Sequence, residues 1–411
     1  CSRKLGRGRR EMAEGIHSHN GDEGGGWKTL DHKTRTFVLK SAAIASVGGL
    51  LFGYDIGVVA GALPQLEEDF SLTHDEEDLV VSIMLVGAII GAMAGGITAD
   101  FIGRWRTIMV TACIFILGAG TLFAATSIGV LYLGRLIVGV GVAVSGIADV
   151  SYLTEVAPRS VRGAMVSTNE LAIAMGVLLA YFVDYLLRDT PEGWRAMFGL
   201  SGVLALAQMV GMAFMPYSPR WLLAQGRKRQ AEAVLASIYS DPDEASQELR
   251  IMQNHCLDGN IPLRDLFSGY TRQVTIGVTL ALLQQFTANA NVMSFAPEIF
   301  EETGMFKDGD SDSAAATVGL GLVKLVATIF AVTWVDRLGR RPLLLAGASA
   351  ITLSLVALAT SFASPLHSTT FGVAMAFVAC CILMAAYSLS YGPMTWLVTS
   401  EMFPTGARGR A

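Results

Sequence analysis

An all-α membrane protein made of two related halves is predicted by three features of this sequence. Long apolar runs recur along most of its length, a short basic loop is written twice, and an acidic–proline–basic signature is also written twice. The loop copies are Asp100-Phe101-Ile102-Gly103-Arg104-Trp105-Arg106 and Asp336-Arg337-Leu338-Gly339-Arg340-Arg341, each between two apolar runs. The signature copies are Glu155-x-x-Pro158-x-x-x-Arg162-Gly163 and Glu401-x-x-Pro404-x-x-x-Arg408-Gly409. In each half the loop follows the second apolar segment and the signature follows the fourth. Repetition on this scale identifies an architecture before any single residue does, and in membrane proteins it is the usual construction of secondary transporters.

Composition agrees and excludes other classes. Hydrophobic residues fill 52% of 411 positions and charged residues only 16%, against roughly 25% charged in soluble domains. The net charge of −5 says little about partners, because the charges are sorted by side of the membrane. Cys1, Cys113, Cys256, Cys380 and Cys381 have no metal-ligand spacing, and the adjacent pair sits in an apolar run as small core residues. No nucleophile–base set appears, and residues 336–341 lack the glycine-rich run and Lys that cradle phosphates. An enzyme, a metal site, a cofactor, coupling to ATP and a nucleic-acid partner are therefore not expected.

Residues 1–35 read as a disordered cytoplasmic tail. Its Arg3, Lys4, Arg7, Arg9 and Arg10 form a positive flank that fixes topology, or alternatively a phosphoinositide-binding surface. Ten apolar segments follow, at about 37–63, 79–99, 107–126, 129–150, 164–187, 195–215, 273–300, 314–335, 343–363 and 369–400; each is near the ~20 residues that cross a bilayer. The first six make an N-terminal half over 36–215. A polar linker, 216–271, separates it from a C-terminal half, 272–411. Arg227 to Ile238 and Ala245 to Met252 in the linker read as short amphipathic helices divided by Ser240-Asp241-Pro242. The second half holds four of the six helices that symmetry demands, so two more are expected beyond Ala411. The loop after the first segment holds Glu67, Glu68, Asp69, Asp75, Glu76, Glu77 and Asp78, while Arg and Lys cluster after the even-numbered segments. The positive-inside rule then puts the N-terminus in the cytoplasm.

Four groups of residues carry candidate chemistry. Asp55, inside the first segment, is a carboxylate that costs several kcal/mol in lipid unless paired or hydrated. It lies eight residues before Leu63, about 12 Å deep, and Arg135 lies six residues after Gly129, about 9 Å deep, at ~1.5 Å per residue. The two can meet, either as a proton-coupling site or as a static ion pair. Glu155 and Glu401 end helices at the cytoplasmic face, within reach of the basic loops. With Asp100, Arg104, Arg162, Asp336, Arg340 and Arg408 they form candidate charge networks that open when the halves rock. The run Gln284-Gln285-Phe286-Thr287-Ala288-Asn289-Ala290-Asn291 brings amides and a hydroxyl to the midplane, roughly 18 Å deep. Neutral amides suit the hydroxyls of a sugar or polyol, although they also act as glue between helices. Gly392-Pro393 breaks the tenth segment beside Trp396, a gate or a stacking platform.

These residues resemble the sugar porters of the major facilitator superfamily over about residues 36–411. The likeness rests on the doubled loops, on Pro216-x-Ser218-Pro219-Arg220-Trp221-Leu222, on Gln284-Gln285, and on Gly392-Pro393-x-x-Trp396. The stretch Asn169-Glu170-Leu171 to Gly193-Trp194, with Met197-Phe198-Gly199, is most similar to class III facilitative glucose transporters, and the fifth helix also to proton–inositol symporters. The resemblance implies a twelve-helix fold, alternating access, and a central hexose or polyol site faced by Gln284, Gln285, Asn289, Asn291, Trp396 and Glu170. It further implies that Asp55 and Arg135 couple a proton gradient, since facilitative members often carry Asn at the position of Asp55. This chain departs from the family pattern at Ala290, at Ser294-Phe295, at Tyr217, at Glu170 where Gln is common, and at Lys324 where Asn is common. Lys324 has Glu170 or Asp184 as a possible partner. The expected protein is thus a multi-pass carrier in the plasma membrane that moves a hexose or polyol, such as inositol, with proton symport. A uniporter and a non-transporting sugar sensor are the alternatives.

Overall fold

The computed structural model of the chain describes residues 30–257, 270–302, 311–363 and 369–402. Among the described residues it is helical throughout, and nine stretches are long and apolar enough to cross a membrane. The first is a bent rod of α1 (His32–Ala45) and α2 (Val47–Phe70) joined at Ser46. Then come α3 (His74–Ile102), α4 (Arg104–Phe123), α5 (Ile128–Val156), α6 (Arg162–Leu187) and α7 (Gly193–Ala213). Three short linker helices follow, α8 (Pro219–Ala224), α9 (Lys228–Ile238) and α10 (Pro242–Leu257).

The seventh expected segment, 273–300, is not one helix but three: α11 (Thr271–Gln285), α12 (Asn289–Ser294) and α13 (Ala296–Glu302). The remainder is α14 (Ser311–Leu338), α15 (Arg340–Ser361), α16 (Thr370–Leu389) and α17 (Tyr391–Met402). A second difference concerns the first acidic loop. Glu67, Glu68 and Asp69 end α2 and Asp75 to Asp78 open α3, so the connection shrinks to Ser71–Thr73. Glu76 accepts from the Thr73 N–H at 2.9 Å, a capping box that puts carboxylates where the helix dipole is positive.

In lipid no hydrophobic drive pulls helices together, so close van der Waals packing must do it. Glycine spacing supplies that packing. On α3, Gly87, Gly91 and Gly95 face the α5 backbone at Leu136, Val140 and Val144. Another stripe at the same spacing, Leu85, Ile89, Met93, Ile97 and Phe101, is exposed to the surroundings. On α2, Gly49, Gly53, Gly57 and Gly61 meet Asn169, Ile173, Val177 and Asp184 of α6. Around these contacts Leu51, Tyr54, Phe115, Leu122, Val138, Trp194 and Phe198 fill the core of the first half. A separate cluster joins the halves: Ala60, Val177 and Tyr181 pack on Val292, Met293, Phe300, Leu320 and Leu383. There the Tyr181 hydroxyl donates to the Met293 carbonyl at 2.8 Å, and Arg188 donates to Ser313 Oγ at 2.7 Å.

The linker is fastened to the start of the first helix. Lys33 Nζ donates to the carbonyls of Ala236 at 3.0 Å and Tyr239 at 3.3 Å, and Thr34 to that of Ile238 at 3.1 Å. Ser240 donates to Asp31 at 2.5 Å. That hydroxyl, helped by the Lys33 N–H, holds the Asp31 carboxyl below the usual carboxylate range.

The duplicated loop has a conformational cause. Gly103 (φ 92°, ψ 149°) and Gly339 (φ 80°, ψ 153°) adopt the same backbone, a region essentially closed to residues with a Cβ. At Gly103 the Trp221 ring also lies within 2.8 Å of where a Cβ would stand. At Gly339 the nearest neighbour, Pro342, is 3.9 Å away. Gly103→Ala should therefore destabilise more than Gly339→Ala, each carrying about 1–3 kcal/mol of backbone strain. Thermal unfolding in detergent measures this, and equal midpoints for Gly103→Ala and the parent would refute the strain argument.

Candidate functional site

The break in the seventh segment is built from its own polar residues. The Thr287 hydroxyl turns back to the Gln284 carbonyl at 2.6 Å, Ala288 takes a left-handed backbone (φ 54°), and Asn289 starts α12. A matching break separates α16 from α17 at Ser390 (φ −122°, ψ −89°). Pro393 then falls in the first turn of α17, where a missing N–H costs nothing. Gln284 joins the two breaks: its Nε2 donates to the Tyr387 hydroxyl at 3.0 Å and to the Tyr391 carbonyl at 3.2 Å.

Beside this junction lies a polar cavity between the halves. Glu170 and Ile173 of α6 form one wall; Lys324 and Thr328 of α14, Tyr387 and Ser388 of α16, and Gly392 and Pro393 of α17 form the rest. Its volume is about 20 Å³, about the room of one water, so the walls nearly touch in this conformation. Lys324 Nζ stands 5.4 Å from the centre of the Tyr387 ring, within range of a cation–π contact. The charge that acts on Lys324 is that of Glu170, across the two halves, and not that of Asp184, which packs on Gly61.

The structure gathers Gln284 and Glu170 at this cavity and leaves other expected ligands elsewhere. Gln285 and Asn291 are exposed. Asn289 is buried, with its Nδ2 on Met293 Sδ at 3.4 Å and its Oδ1 without a partner. The reason is helical geometry: one residue of helix turns Gln285 about 100° from Gln284, and the left-handed Ala288 reorients all that follows. Trp396, Asp336 and Glu401 lie on described helices, but their side chains, like the whole of Arg408, fall outside the described residues. Tyr387 was not singled out in the sequence. The signal was there: a Tyr deep in an apolar helix needs a partner for its hydroxyl.

Asp55 and Arg135 do meet, though not as an ion pair of side chains. Both are buried, and Arg135 donates through Nη1 to the Asp55 backbone carbonyl at 3.3 Å and through Nε to the Val80 carbonyl at 3.2 Å. The Asp55 carboxylate oxygens have no hydrogen-bond partner. The groups that act on them are the Arg135 charge and the Ser201 hydroxyl.

At the far end of α5, three motifs share one node. Arg104 pairs with Asp100 at 2.8 Å and with Glu155 at 3.1 Å. Ser218 donates to Glu155 at 2.5 Å while its oxygen caps α8, with Pro219 in the first turn. Trp221 donates to the Asp100 carbonyl at 3.1 Å, and Arg162 to that of Ala157 at 3.5 Å. Tyr217, where the resemblance expects an acidic residue, lies 4.9 Å from the Trp105 ring and 6.4 Å from the Trp221 ring.

Interaction across the cavity predicts non-additive substitutions. Glu170→Gln and Lys324→Met should each lower the unfolding midpoint, because each leaves one buried charge without its opposite. The double variant should recover much of the loss. Strictly additive losses would show that the two charges do not interact.

Comparison with known proteins follows the same lines. Residues 41–411 match the family model described as "Sugar (and other) transporter". The galactose–proton symporter of Escherichia coli is 35% identical over 384 residues, 92% of this chain and 80% of that protein. The human solute carrier family 2 facilitated glucose transporter member 12, a class III member, is 30% identical over 464 residues, 91% of this chain and 75% of that protein. The solved proton:xylose symporter XylE, bound to 6-bromo-6-deoxy-D-glucose, superposes with a TM-score of 0.79 at 29% identity, covering 91% of this chain and 84% of that one.

Proposed function

This chain belongs to the sugar-transporter family of the major facilitator superfamily, a family of multi-pass membrane transporters and not of enzymes, and we propose that it carries a hexose or polyol by proton symport. The observation that carries the reading is the cavity where Glu170 of one half faces Lys324, Tyr387 and the two helix breaks of the other. Helices broken near the midplane are how secondary transporters expose polar groups to a solute. Charged and amide groups bond sugar hydroxyls well, and charge-assisted bonds are roughly twice as strong as neutral ones. The cavity walls nearly touch, so a sugar enters only as the halves part, and closure around it is the alternating step.

Proton coupling is supported by Asp55. A buried carboxylate with no hydrogen bond, beside an arginine that grips only the backbone, can take and release a proton without breaking a salt bridge. The printed names of the galactose–proton and proton:xylose symporters point the same way, whereas that of the human relative points to facilitated transport. The N-terminus and the Arg104–Glu155 node belong on the cytoplasmic side in this reading, because the basic loops lie there. The node is then an inner gate, and the plasma membrane is the membrane of residence.

The test is uptake by the full chain in liposomes, with labelled glucose and myo-inositol, with and without an inward proton gradient. Accumulation above equilibrium only with the gradient supports symport; equilibration alone means a uniporter, and binding without flux a sensor. Asp55→Asn should abolish accumulation and leave exchange measurable; retained accumulation would remove Asp55 from coupling. Gln284→Ala should weaken sugar binding by roughly 1–3 kcal/mol, the cost of leaving a buried polar partner unsatisfied, and an unaltered affinity would return Gln284 to a packing role.

A further inference from the structure

Asp149 of α5 is fully buried and belongs to neither the cavity nor the Asp55–Arg135 pair. Its carboxylate accepts from the Ser145 hydroxyl, one turn back on α5, and from Gln208 Nε2 on α7 at 3.2 Å. Gly48 on α2 closes another side, since any side chain there would fill the volume of the carboxylate. The groups that act on it, Ser145 and Gln208, are both neutral. The next titratable groups along α5 are committed elsewhere: Tyr152 donates to the Pro216 carbonyl at 2.9 Å, and Glu155 is held by Arg104 and Ser218. Among the described residues no cation acts on Asp149 as Arg135 acts on Asp55.

An isolated carboxylate charge in a membrane interior costs several kcal/mol, and two neutral donors offset only part of that. A neutral carboxylic acid avoids most of it. We propose that Asp149 is a second proton-binding site, separate from Asp55, seated where α1 bends into α2. An independent observation agrees. Gln208 is fully buried, yet its Oε1 has no hydrogen-bond donor. Turning the amide over brings Oε1 to the carboxyl, and that orientation is satisfied when the carboxyl carries a proton to donate. The step is a proton transfer from water: an O–H bond forms on the carboxylate, and no electrons are exchanged. Because the carboxylate lies against Gly48, two residues after the bend at Ser46, gain of the proton removes one unit of charge beside that bend.

The test is infrared spectroscopy of the full chain in liposomes, reading the C=O stretch of protonated carboxylic acids at neutral pH. It uses no sugar, so its outcome is independent of whether the transport proposal holds. The parent spectrum should contain a band that Asp149→Asn removes and Asp55→Asn retains. Gln208→Met, which keeps the carboxyl and deletes its amide partner, should shift that band. If Asp149→Asn fails to fold, the Gln208→Met shift decides by itself. An Asp149→Asn spectrum that superposes on the parent, or a band unmoved by Gln208→Met, overturns the proposal.

Discussion

A polar group inside a bundle surrounded by lipid has no bulk water to bond with, so it must be satisfied within the protein or by what the protein carries. The rest of this structure depends on that constraint. Where the partners are complete, the group holds the fold together. Glu155 receives Arg104 and Ser218, Tyr54 donates to the Met197 carbonyl at 2.6 Å, and Trp194 donates to Asp69 at 2.6 Å. Where they are incomplete, as at the Asp55 carboxylate and Gln208 Oε1, the gap marks a place for a proton. At Glu170 and Lys324 the opposite charges come from opposite halves, so satisfaction itself depends on how the halves are disposed.

Stiffness and motion are divided by the same physics. The first half is locked by backbone-to-backbone contact along the glycine stripes of α2 and α3, which leaves little room to slide. The second half contributes the broken elements, α11 to α12 and α16 to α17, and both breaks meet at Gln284 and Tyr387. Unwound backbone is tolerated at membrane depth only where it lines a cavity or is covered by protein. The only cost-free place for such breaks is therefore beside a polar cavity, and that is where they lie. The interface between the halves is a compact apolar cluster with two hydrogen bonds, Tyr181 to Met293 and Arg188 to Ser313.

Much of this was legible along the chain. Apolar period and length found nine spans, because a spanning helix must be long and apolar whatever it packs against. The doubled loop was legible because its glycine answers a local backbone requirement, which Gly103 and Gly339 meet identically. The seventh segment was misread as one helix because hydropathy does not register a left-handed Ala288. Gln285 and Asn291 were grouped with Gln284 by proximity in sequence, but a helix face is decided by rotation. Asp149 was passed over because it stands near the end of an apolar run beside residues that look unremarkable; its partner Gln208 is 59 positions away.

The sequence by itself determined the membrane-spanning helices, the duplicated plan, the family, and the identity of the polar residues that lipid makes expensive. These follow from composition and from interactions within a few residues. Only the tertiary structure decided that Lys324 answers Glu170 and not Asp184, that Arg135 holds the backbone of Asp55 and not its carboxylate, and that Gln284 bonds Tyr387. Each of those choices joins residues on different helices, and the approach and rotation of two helices are set by packing that no local stretch contains.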